Sequence, residues 1–277
     1  MFSMLWIIYF YYILKMSCCL RMVGNVRYHI KLPNKTSITN WCEQFQFQNK
    51  KMISISPGGF KGFYMWGISS YIKDNYDLSN YIFSGASAGA WNSLFMCYKG
   101  NSTFFLDKLF EIEKDIQKKD ITLLSIELVM KNKIMSFTKD EDYDLNKLFI
   151  GASTFDGYHF NVNIFSDFNN LEDAIDCCIS SSHIPFITGG FLKKYHNMYV
   201  FDGGFTKHPY LNLLKTDLHI TPDLWNKKQK TMSLSIEDYT TLFSKNKFNI
   251  RNLYQEGYED SYKNKEILDK IFLNQIN

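Results

Sequence analysis

Two successive segments of the chain each combine an apolar strand pattern, a glycine-rich turn and an apolar stretch of helix length. In the first, residues 52–56 alternate, and an almost wholly apolar stretch over 62–71 follows a Pro-Gly-Gly turn. In the second, residues 81–84 enter the small-residue turn 85–89, before the apolar stretch 90–96. Repeated strand–turn–helix units are typical of a parallel sheet. The pattern therefore predicts an α/β fold with a mainly parallel central sheet flanked by helices.

Elements further along the chain fit the same architecture. Apolar residues at helical spacing, with charged residues opposite them, predict a surface helix over 103–118. A short strand is predicted at 148–152, and Asn170 is placed to cap the helix that follows it. The apolar segment 199–201 predicts a strand that carries the Asp-Gly-Gly motif 202–204 at its carboxyl end. Ligands of open α/β sheets bind at the carboxyl ends of strands, so this motif is a candidate site.

The composition is that of a globular chain with room for a large core. Of the 277 residues, 45% are hydrophobic and 21% are charged, which excludes extensive disorder. The net charge of +3 supplies no basic surface that would make nucleic acid the main partner. Neither a linker nor a repeat divides the sequence. We therefore expect one domain over 46–277, preceded by an N-terminal region over 1–45.

The six cysteines include two adjacent pairs and no CxxC spacing. Adjacent pairs are poorly suited to a disulfide framework, and the CxxC spacing that would suggest a zinc site is missing. We therefore expect reduced thiols, no metal and no other cofactor. Cys177 and Cys178 are expected to be small core groups on the helix that Asn170 caps.

The N-terminal region contains one segment that bears on the cellular compartment. Residues 5–14 are apolar or aromatic, but Lys15 and Arg21 interrupt the run before the roughly 20 residues that a bilayer span needs. Residues 1–4 lack the basic side chain that a signal peptide would carry. Aromatic rings followed by basic residues suit the membrane interface, which favours an intracellular, peripherally membrane-associated protein over a secreted one. The alternatives are a buried strand and a non-native extension.

The turn Gly85-Ala-Ser87-Ala-Gly89 fits a nucleophile elbow. In such an elbow, small flanking residues permit a sharp strand-to-helix turn that exposes a serine hydroxyl. The required context of a strand before the turn and a helix after it is present in the sequence. Ser87 is therefore the candidate nucleophile. The alternative is a helix start of small residues packed closely on the sheet.

The turn Pro57-Gly58-Gly59 and the residues up to Gly62 resemble an anion-binding loop. Glycines at a helix amino terminus expose backbone N–H groups, and acyl transfer needs such donors for the oxyanion of its tetrahedral intermediate. A nucleotide phosphate is a competing ligand, but the loop matches neither the P-loop pattern nor the dinucleotide fingerprint. An ordinary Pro-Gly turn is the structural alternative.

A serine nucleophile needs a base, and two residues compete for that role. Asp202 lies where the functional loops of the sheet should converge, although Asp-Gly-Gly also suits a hairpin turn. Of the six histidines, only His208 follows the last predicted strand, as the order Ser, acid, His of an α/β-hydrolase requires. The sequence alone leaves both bases open.

Taken together, three segments resemble the sequence blocks of the patatin-like lipid acyl hydrolases. They are the glycine-rich loop over 57–62, the elbow over 85–89 and the Asp-Gly-Gly motif over 202–204. The intervening sequence is similar to the adiponutrin-like branch of that family, and the resemblance covers about residues 50–210. The segments that carry this second likeness are Asp156-Gly157, Ala174-Ile175, the run from Ser180 to Phe186 and the run from Val200 to Gly204.

The resemblance implies a patatin-like sandwich that cleaves fatty acyl esters of phospholipids or acylglycerols at a membrane or lipid-droplet surface. In this family a Ser-Asp dyad works without histidine, which implies that Ser87 is the nucleophile and Asp202 the base. The glycine-rich loop supplies the oxyanion hole. The other residues to which the resemblance gives roles are the oxyanion-hole donors Gly58, Gly59 and Phe60, the elbow glycines Gly85 and Gly89, and the motif glycines Gly203 and Gly204.

Two positions depart from the family pattern. Pro57 stands where the first loop glycine usually lies, and because proline has no N–H, Gly58 and Gly59 must carry that role. Lys207-His208-Pro209 replaces the asparagine-containing sequence that often follows Asp-Gly-Gly. Two alternatives therefore stay open. One is a Ser-Asp-His esterase that uses His208 on small soluble esters, and the other is a catalytically inert lipid-binding or scaffold protein.

Overall fold

A mixed, mostly parallel sheet lies at the centre of the protein, in a computed structural model that describes residues 28–30, 50–116, 123–155, 160–212, 214–225 and 249–273. Within these residues the strands follow the spatial order β1-β5-β4-β3-β2-β8, with β7 on β4 and β6 on β7. The strands are β1 (Tyr28–Ile30), β2 (Lys51–Ile55), β3 (Tyr81–Ala86), β4 (Leu148–Phe155), β5 (Phe160–Phe165), β6 (Lys193–Tyr195), β7 (Met198–Phe201) and β8 (Thr216–Ile220).

Helices flank this sheet, and short 3₁₀ turns follow β2 and β7. The α-helices of the described residues are α1 (Gly62–Asn75), α2 (Ala88–Cys97), α3 (Ser102–Phe110), α4 (Glu113–Ile116), α5 (Leu123–Phe137), α6 (Leu171–Ser181), α7 (Ile250–Lys263) and α8 (Lys265–Phe272). The 3₁₀ turns are Gly59–Lys61, Asp140–Asp142, Leu145–Lys147 and Gly203–Phe205.

The two strand–turn–helix units predicted from the sequence are confirmed. β2 leads through its turn into α1, β3 leads into α2, and the two strands pair in parallel, with Met52 opposite Ile82 and Ile55 opposite Gly85. α1 is buried along most of its length, as its almost wholly apolar sequence predicts. The predicted α/β class, with a mostly parallel sheet between helices, is therefore observed.

The edge of β4 that faces β3 determines where the functional loops meet. β5 pairs with β4 along its other edge, so β3 and β7 share this one. β3 pairs in parallel with Leu148–Gly151, and β7 pairs in antiparallel fashion with Ser153–Phe155. The two strands therefore point toward each other, and their carboxyl ends meet head to head. The strand predicted at 199–201 is present, and its antiparallel direction is what brings Asp202 to the end of β3.

Side chains of the sheet alternate between a large core and a smaller one. Ile53 and Ile55 of β2 belong to the large cluster, which includes the apolar faces of the flanking helices. Met52 and Ile82 belong to the smaller cluster, which Leu211 covers from the segment after β7. The period-two pattern of β2 thus fixes which residues face the helices.

The helix predicted over 103–118 is wrong as a single element. The chain forms α3, turns, and then forms α4, while residues 117–122 lie outside the described part. At the turn the N–H of Ile112 donates to the carbonyl of Leu109 at 3.0 Å. The Glu111 carboxylate reaches Lys133 of α5, and Ile112 is buried. Contacts with a neighbouring helix thus accompany a turn inside the segment for which the sequence pattern predicts one continuous helix.

The predicted cap and the adjacent cysteines are confirmed. The Asn170 side chain accepts a hydrogen bond from the N–H of Asp173 at 2.9 Å, which caps α6. Cys177 and Cys178 are free thiols, both fully buried on that helix. Burial raises the pKa of both thiols well above its ordinary value. They are inert core groups, as expected.

None of the described helices is long and apolar enough to cross a membrane. The N-terminal segment 5–14, with Lys15 and Arg21, lies outside the described residues, as does Asp156-Gly157. The predicted interfacial role of the segment 5–14 remains a prediction.

Candidate active site

Ser87 occupies a sharp turn between the end of β3 and the start of α2. Its backbone has φ 54° and ψ −127°, a conformation that L-residues rarely adopt. A Cβ at Gly89 would lie 2.1 Å from the carbonyl oxygen of Ile55, and one at Gly85 would lie 2.1 Å from the carbonyl oxygen of Gly89. Both flanking positions therefore require glycine. This backbone has the sharp strand-to-helix turn that the sequence predicts around Ser87.

The hydroxyl of Ser87 meets the carboxylate of Asp202. Ser87 Oγ donates to Asp202 Oδ2 at 2.6 Å, and both side chains are buried. The contact follows from the sheet, because β3 ends one residue before the serine and β7 ends one residue before the aspartate. Two residues far apart in the sequence are thus brought together by one edge of β4.

Further hydrogen bonds hold Asp202 in place, and one of them is donated to its carbonyl by the N–H of Phe205 at 3.2 Å. Its Oδ1 accepts from the N–H of Gly204 at 2.6 Å. Its own N–H donates to the carbonyl of His183 at 2.7 Å, and its carbonyl accepts from Ser153 Oγ at 2.8 Å. The carboxylate is therefore fixed in position before any ligand arrives.

The two glycines after Asp202 are required by close contacts. A Cβ at Gly203 would lie 2.6 Å from the Cβ of Ala86 and 2.7 Å from the carbonyl oxygen of Gly151. A Cβ at Gly204 would lie 2.9 Å from Oδ1 of Asp202. The Asp-Gly-Gly motif thus lets the chain fold tightly against the end of β3.

Ser181 is a supporting residue that the sequence reasoning did not single out. Its Oγ accepts from the backbone N–H of Ser87 at 2.8 Å and donates to the carbonyl of Gly151 at 2.7 Å. The hydroxyl therefore ties the elbow to β4. The only signal in the sequence was the Ser-Ser-Ser run over 180–182, which does not say which serine makes this contact.

Burial raises the pKa of Asp202 from its ordinary value to about 6, while hydrogen bonds from Ser87 and from the Gly204 N–H work in the opposite direction. Loss of hydration disfavours the charged carboxylate, and donated hydrogen bonds favour it. A carboxylate with a pKa near 6 is mostly ionised at pH 7. It is also basic enough to take a proton from a serine in a transition state.

In the described part of the chain, no histidine ring hydrogen-bonds to Ser87 or Asp202. His208 is exposed to solvent. His183 is buried beside the site. Its backbone carbonyl accepts the hydrogen bond from the N–H of Asp202, whereas its ring nitrogen Nδ1 lies 3.3 Å from Thr188 Oγ1. The geometry thus joins Ser87 to Asp202 and not to His208.

The glycine-rich loop forms a 3₁₀ turn beside the dyad. Gly59 has φ 51°, which favours glycine. In the described part of the chain, the N–H groups of Gly58 and Gly59 donate to no acceptor. Gly59 and Phe60 line the same cleft as Ser87 and Asp202. The loop therefore presents backbone donors next to the serine.

Pro57 has a packing role in this loop. A Cβ at Gly204 would lie 3.1 Å from the Cβ of Pro57, so the proline ring lies directly against the Asp-Gly-Gly turn. The ring at this position therefore packs against the motif that carries Asp202.

Asn92 links the two glycine-rich turns, and the sequence reasoning did not find it. Its Nδ2 donates to the carbonyl of Gly62 at 3.2 Å and to that of Ala88 at 2.9 Å. Its Oδ1 accepts from Ser69 Oγ at 3.3 Å. The starts of α1 and α2 are therefore held together by one buried amide.

An apolar cleft opens over the dyad, with about 690 Å³ of empty space including its mouth. Its walls come from α1, α2, α5 and the segment after α6. The side chains that make it apolar are Phe60, Phe63, Trp66, Trp91, Ile126, Met130 and Ile184.

Glu127 is an unexpected acidic residue in this cleft wall. It is buried, and its Oε2 has no hydrogen-bond partner among the described residues. Burial holds the pKa of its carboxyl well above the usual range, Lys193 acts to lower it, and the nearby Asp202 raises it further. The sequence analysis did not single out Glu127.

No metal-binding group of three or more His, Cys, Asp or Glu side chains occurs in the described ranges. Neither a protein-family model nor a curated protein sequence matches this chain. The likeness to the patatin-like hydrolases therefore rests on the three sequence blocks.

Proposed function

We propose that this protein is a patatin-like lipid acyl hydrolase, a serine carboxylic ester hydrolase that cleaves fatty acyl esters of phospholipids or acylglycerols. The single observation that carries the proposal is the 2.6 Å hydrogen bond from Ser87 Oγ to Asp202 Oδ2 at a nucleophile elbow. The apolar cleft above the dyad supports a fatty acyl chain as the acyl group.

In the proposed first half-reaction, Asp202 Oδ2 takes the proton of Ser87 as Oγ attacks the ester carbonyl carbon. The backbone N–H groups of Gly58, Gly59 and Phe60 stabilise the negative oxygen of the tetrahedral intermediate. The intermediate collapses, the C–O bond to the alcohol breaks, and the alcohol oxygen takes the proton from Asp202. An acyl ester of Ser87 remains.

In the second half-reaction, water attacks the acyl carbonyl carbon and gives a proton to Asp202. The second tetrahedral intermediate collapses, Ser87 Oγ leaves and recovers that proton, and the fatty acid is released. Because the carboxylate returns to its ionised form, one aspartate serves both half-reactions.

The experiment that tests the proposal compares esters and labels the nucleophile. We expect the purified chain to hydrolyse phospholipid vesicles and a short soluble ester, and to be modified on Ser87 by a serine-reactive fluorophosphonate, located by mass spectrometry. Ser87→Ala should abolish both activities and the label. Ser79→Ala, at an exposed serine outside the cleft, is the matched control.

Three outcomes separate the hypotheses. Hydrolysis that survives in Ser87→Ala contradicts the serine mechanism. Turnover of short esters alone, lost in His208→Ala, favours the Ser-Asp-His esterase. A chain that binds lipid and neither turns over nor takes the label would be the inert lipid-binding protein.

A further inference from the structure

Three large apolar side chains are exposed together in the segment between α6 and β6. Phe186 and Phe191 are each 56% exposed, and Leu192 is 47% exposed. The two rings stack on each other, with centroids 5.3 Å apart. We call residues 184–192 the aromatic turn. Clustered apolar side chains of this size on a surface mark a contact site more often than single ones do.

The aromatic turn also forms part of the catalytic cleft. Ile184 and Thr188 line the cleft together with Ser87 and Asp202. Phe186, between them in the sequence, points out to solvent. One short segment therefore contributes both to the wall of the cleft and to the surface beside it.

Hydrogen bonds give the aromatic turn a defined shape. Thr188 Oγ1 accepts from the N–H of Ile184 at 2.8 Å, and the N–H of Phe186 donates to the carbonyl of Gly190 at 3.4 Å. Phe186 has φ 64°, a left-handed conformation that is unusual for a bulky residue. Strained backbone of this kind persists at sites that have a function, because the surroundings must enforce it.

The charged residues within and directly after the aromatic turn are basic. From Ser182 to Tyr195 the chain contains no acidic residue, and two lysines follow Leu192 directly. Lys194 is exposed, whereas Lys193 is half-buried and burial lowers its pKa. Lys194 is therefore the exposed basic residue that follows the rings in the sequence, and its ammonium lies 5.0 Å from the centroid of the Tyr199 ring.

We propose that the aromatic turn is the surface with which the protein docks on an anionic phospholipid bilayer. The rings enter the headgroup boundary, where aromatic side chains are favoured, and Lys194 faces the anionic headgroups. The docked bilayer then lies at the mouth of the cleft, so an acyl ester has a short path to Ser87. This inference rests on the proposed function and assigns its lipid-contacting surface to the described domain, apart from any role of residues 5–14.

The test measures binding of the full chain to vesicles by co-sedimentation, in a Ser87→Ala background that leaves the vesicles intact. The probe vesicles contain equal parts of phosphatidylcholine and phosphatidylserine. The double variant Phe186→Asn, Phe191→Ser removes both rings, and asparagine tolerates the left-handed backbone at 186. Phe104→Asn, at a 48% exposed ring on α3, is the matched control.

We expect the double variant to bind these vesicles at least about tenfold more weakly, because each ring loses its apolar contact, and we expect the control to bind like its parent. Lys194→Gln should weaken binding to the mixed vesicles and leave binding to pure phosphatidylcholine unchanged. With Ser87 restored, the double variant should hydrolyse a short soluble ester at the parental rate.

Parental affinity in the double variant would overturn the proposal, and so would loss of soluble-ester turnover, since the turn would then shape the cleft. If the parent binds vesicles of pure phosphatidylcholine as tightly as the vesicles that contain phosphatidylserine, the proposed preference for anionic lipid is wrong. Binding is measured without turnover, so the two proposals fail separately. Weakened binding in a chain that hydrolyses no ester supports the docking surface and contradicts the hydrolase.

Discussion

The two glycine-rich turns of the site have similar sequence patterns, and each contains a residue with positive φ, but the two turns present different groups. In the turn after β3, the residue with positive φ is Ser87, so the unusual backbone positions a hydroxyl against the Asp202 carboxylate. In the turn after β2, the residue with positive φ is Gly59, which has no side chain, so that turn presents backbone N–H groups. The comparison teaches that the residue at the positive-φ position decides whether a strand-to-helix turn presents a side-chain hydroxyl or backbone N–H groups.

The largest expected effect comes from replacing Asp202, which accepts the hydrogen bond of Ser87 in the turn after β3. Asp202→Asn cannot accept the Ser87 proton, so we expect turnover of a soluble ester to fall roughly 10²–10⁴-fold. His208→Ala should stay near wild type, because His208 is exposed and makes no contact with the dyad. Steady-state kinetics of the two variants would measure this difference. If Asp202→Asn is active and His208→Ala is inactive, the dyad mechanism is wrong and a histidine is the base.

The next largest effect concerns the glycine-rich turn after β2, which presents backbone N–H groups. Gly59→Val forces a β-branched residue to φ 51°, so we expect a loss of roughly 10²–10³-fold, the scale of one lost oxyanion donor. Gly58→Ala should cost far less, because Gly58 has an extended φ of −167° and its added Cβ meets the movable end of Met65. Turnover and circular dichroism together would show whether the fold survives. Equal turnover in both variants would mean that the loop is only structural.

The sequence was sufficient to predict the two turns because their requirements are local. A serine between small residues, after an apolar strand and before an apolar helix, has few other conformations to adopt. The α/β class follows from the same local pattern. The pairing of Ser87 with Asp202 came from the resemblance, and its geometric cause, the shared edge of β4, could not be found by local reasoning.

The supporting residues were beyond sequence reasoning because their roles depend on distant contacts. Ser181 and Asn92 act through hydrogen bonds to β4 and α1, and nothing in their own segments indicates those partners. The break between α3 and α4 likewise depends on contacts with α5. In Glu127, a helix-forming acid proved to be buried in the cleft wall, which only the packing of α5 determines.

A smaller effect is the pH dependence of turnover, which we expect Asp202 to set and the backbone N–H donors of the loop to leave unchanged. The pKa of Asp202 is raised to about 6, and the base must be ionised to act. We expect kcat/KM on a soluble ester to fall about tenfold per pH unit below pH 6 and to level off above it. His208→Ala and Gly58→Ala should keep the same midpoint, since neither changes the titrating group. A midpoint that disappears in His208→Ala would contradict the assignment of the titration to Asp202.

The smallest expected effect belongs to Glu127, a carboxyl outside both turns. Its pKa is raised well above its usual range by burial, so folding takes up a proton at pH values between the unfolded-state pKa and the folded-state pKa. Its contribution to stability is therefore fully present below the unfolded-state pKa of about 4.3 and is lost as the pH rises toward the folded pKa. The side chain should thus cost the protein more at pH 8 than at pH 4.

Glu127→Gln removes this pH dependence, because a glutamine stays neutral while keeping nearly the same shape. We expect the variant to melt close to wild type near pH 4 and at least about 2 °C higher at pH 8. Thermal unfolding of both proteins between pH 4 and pH 8.5 measures the difference, and both proteins contain the titrating Asp202. Met130→Leu, on the same helix and cleft wall, is the control and should shift equally at every pH. A difference between Glu127→Gln and wild type that does not grow with pH would show that Glu127 is ionised in the folded protein, with a partner for its charge.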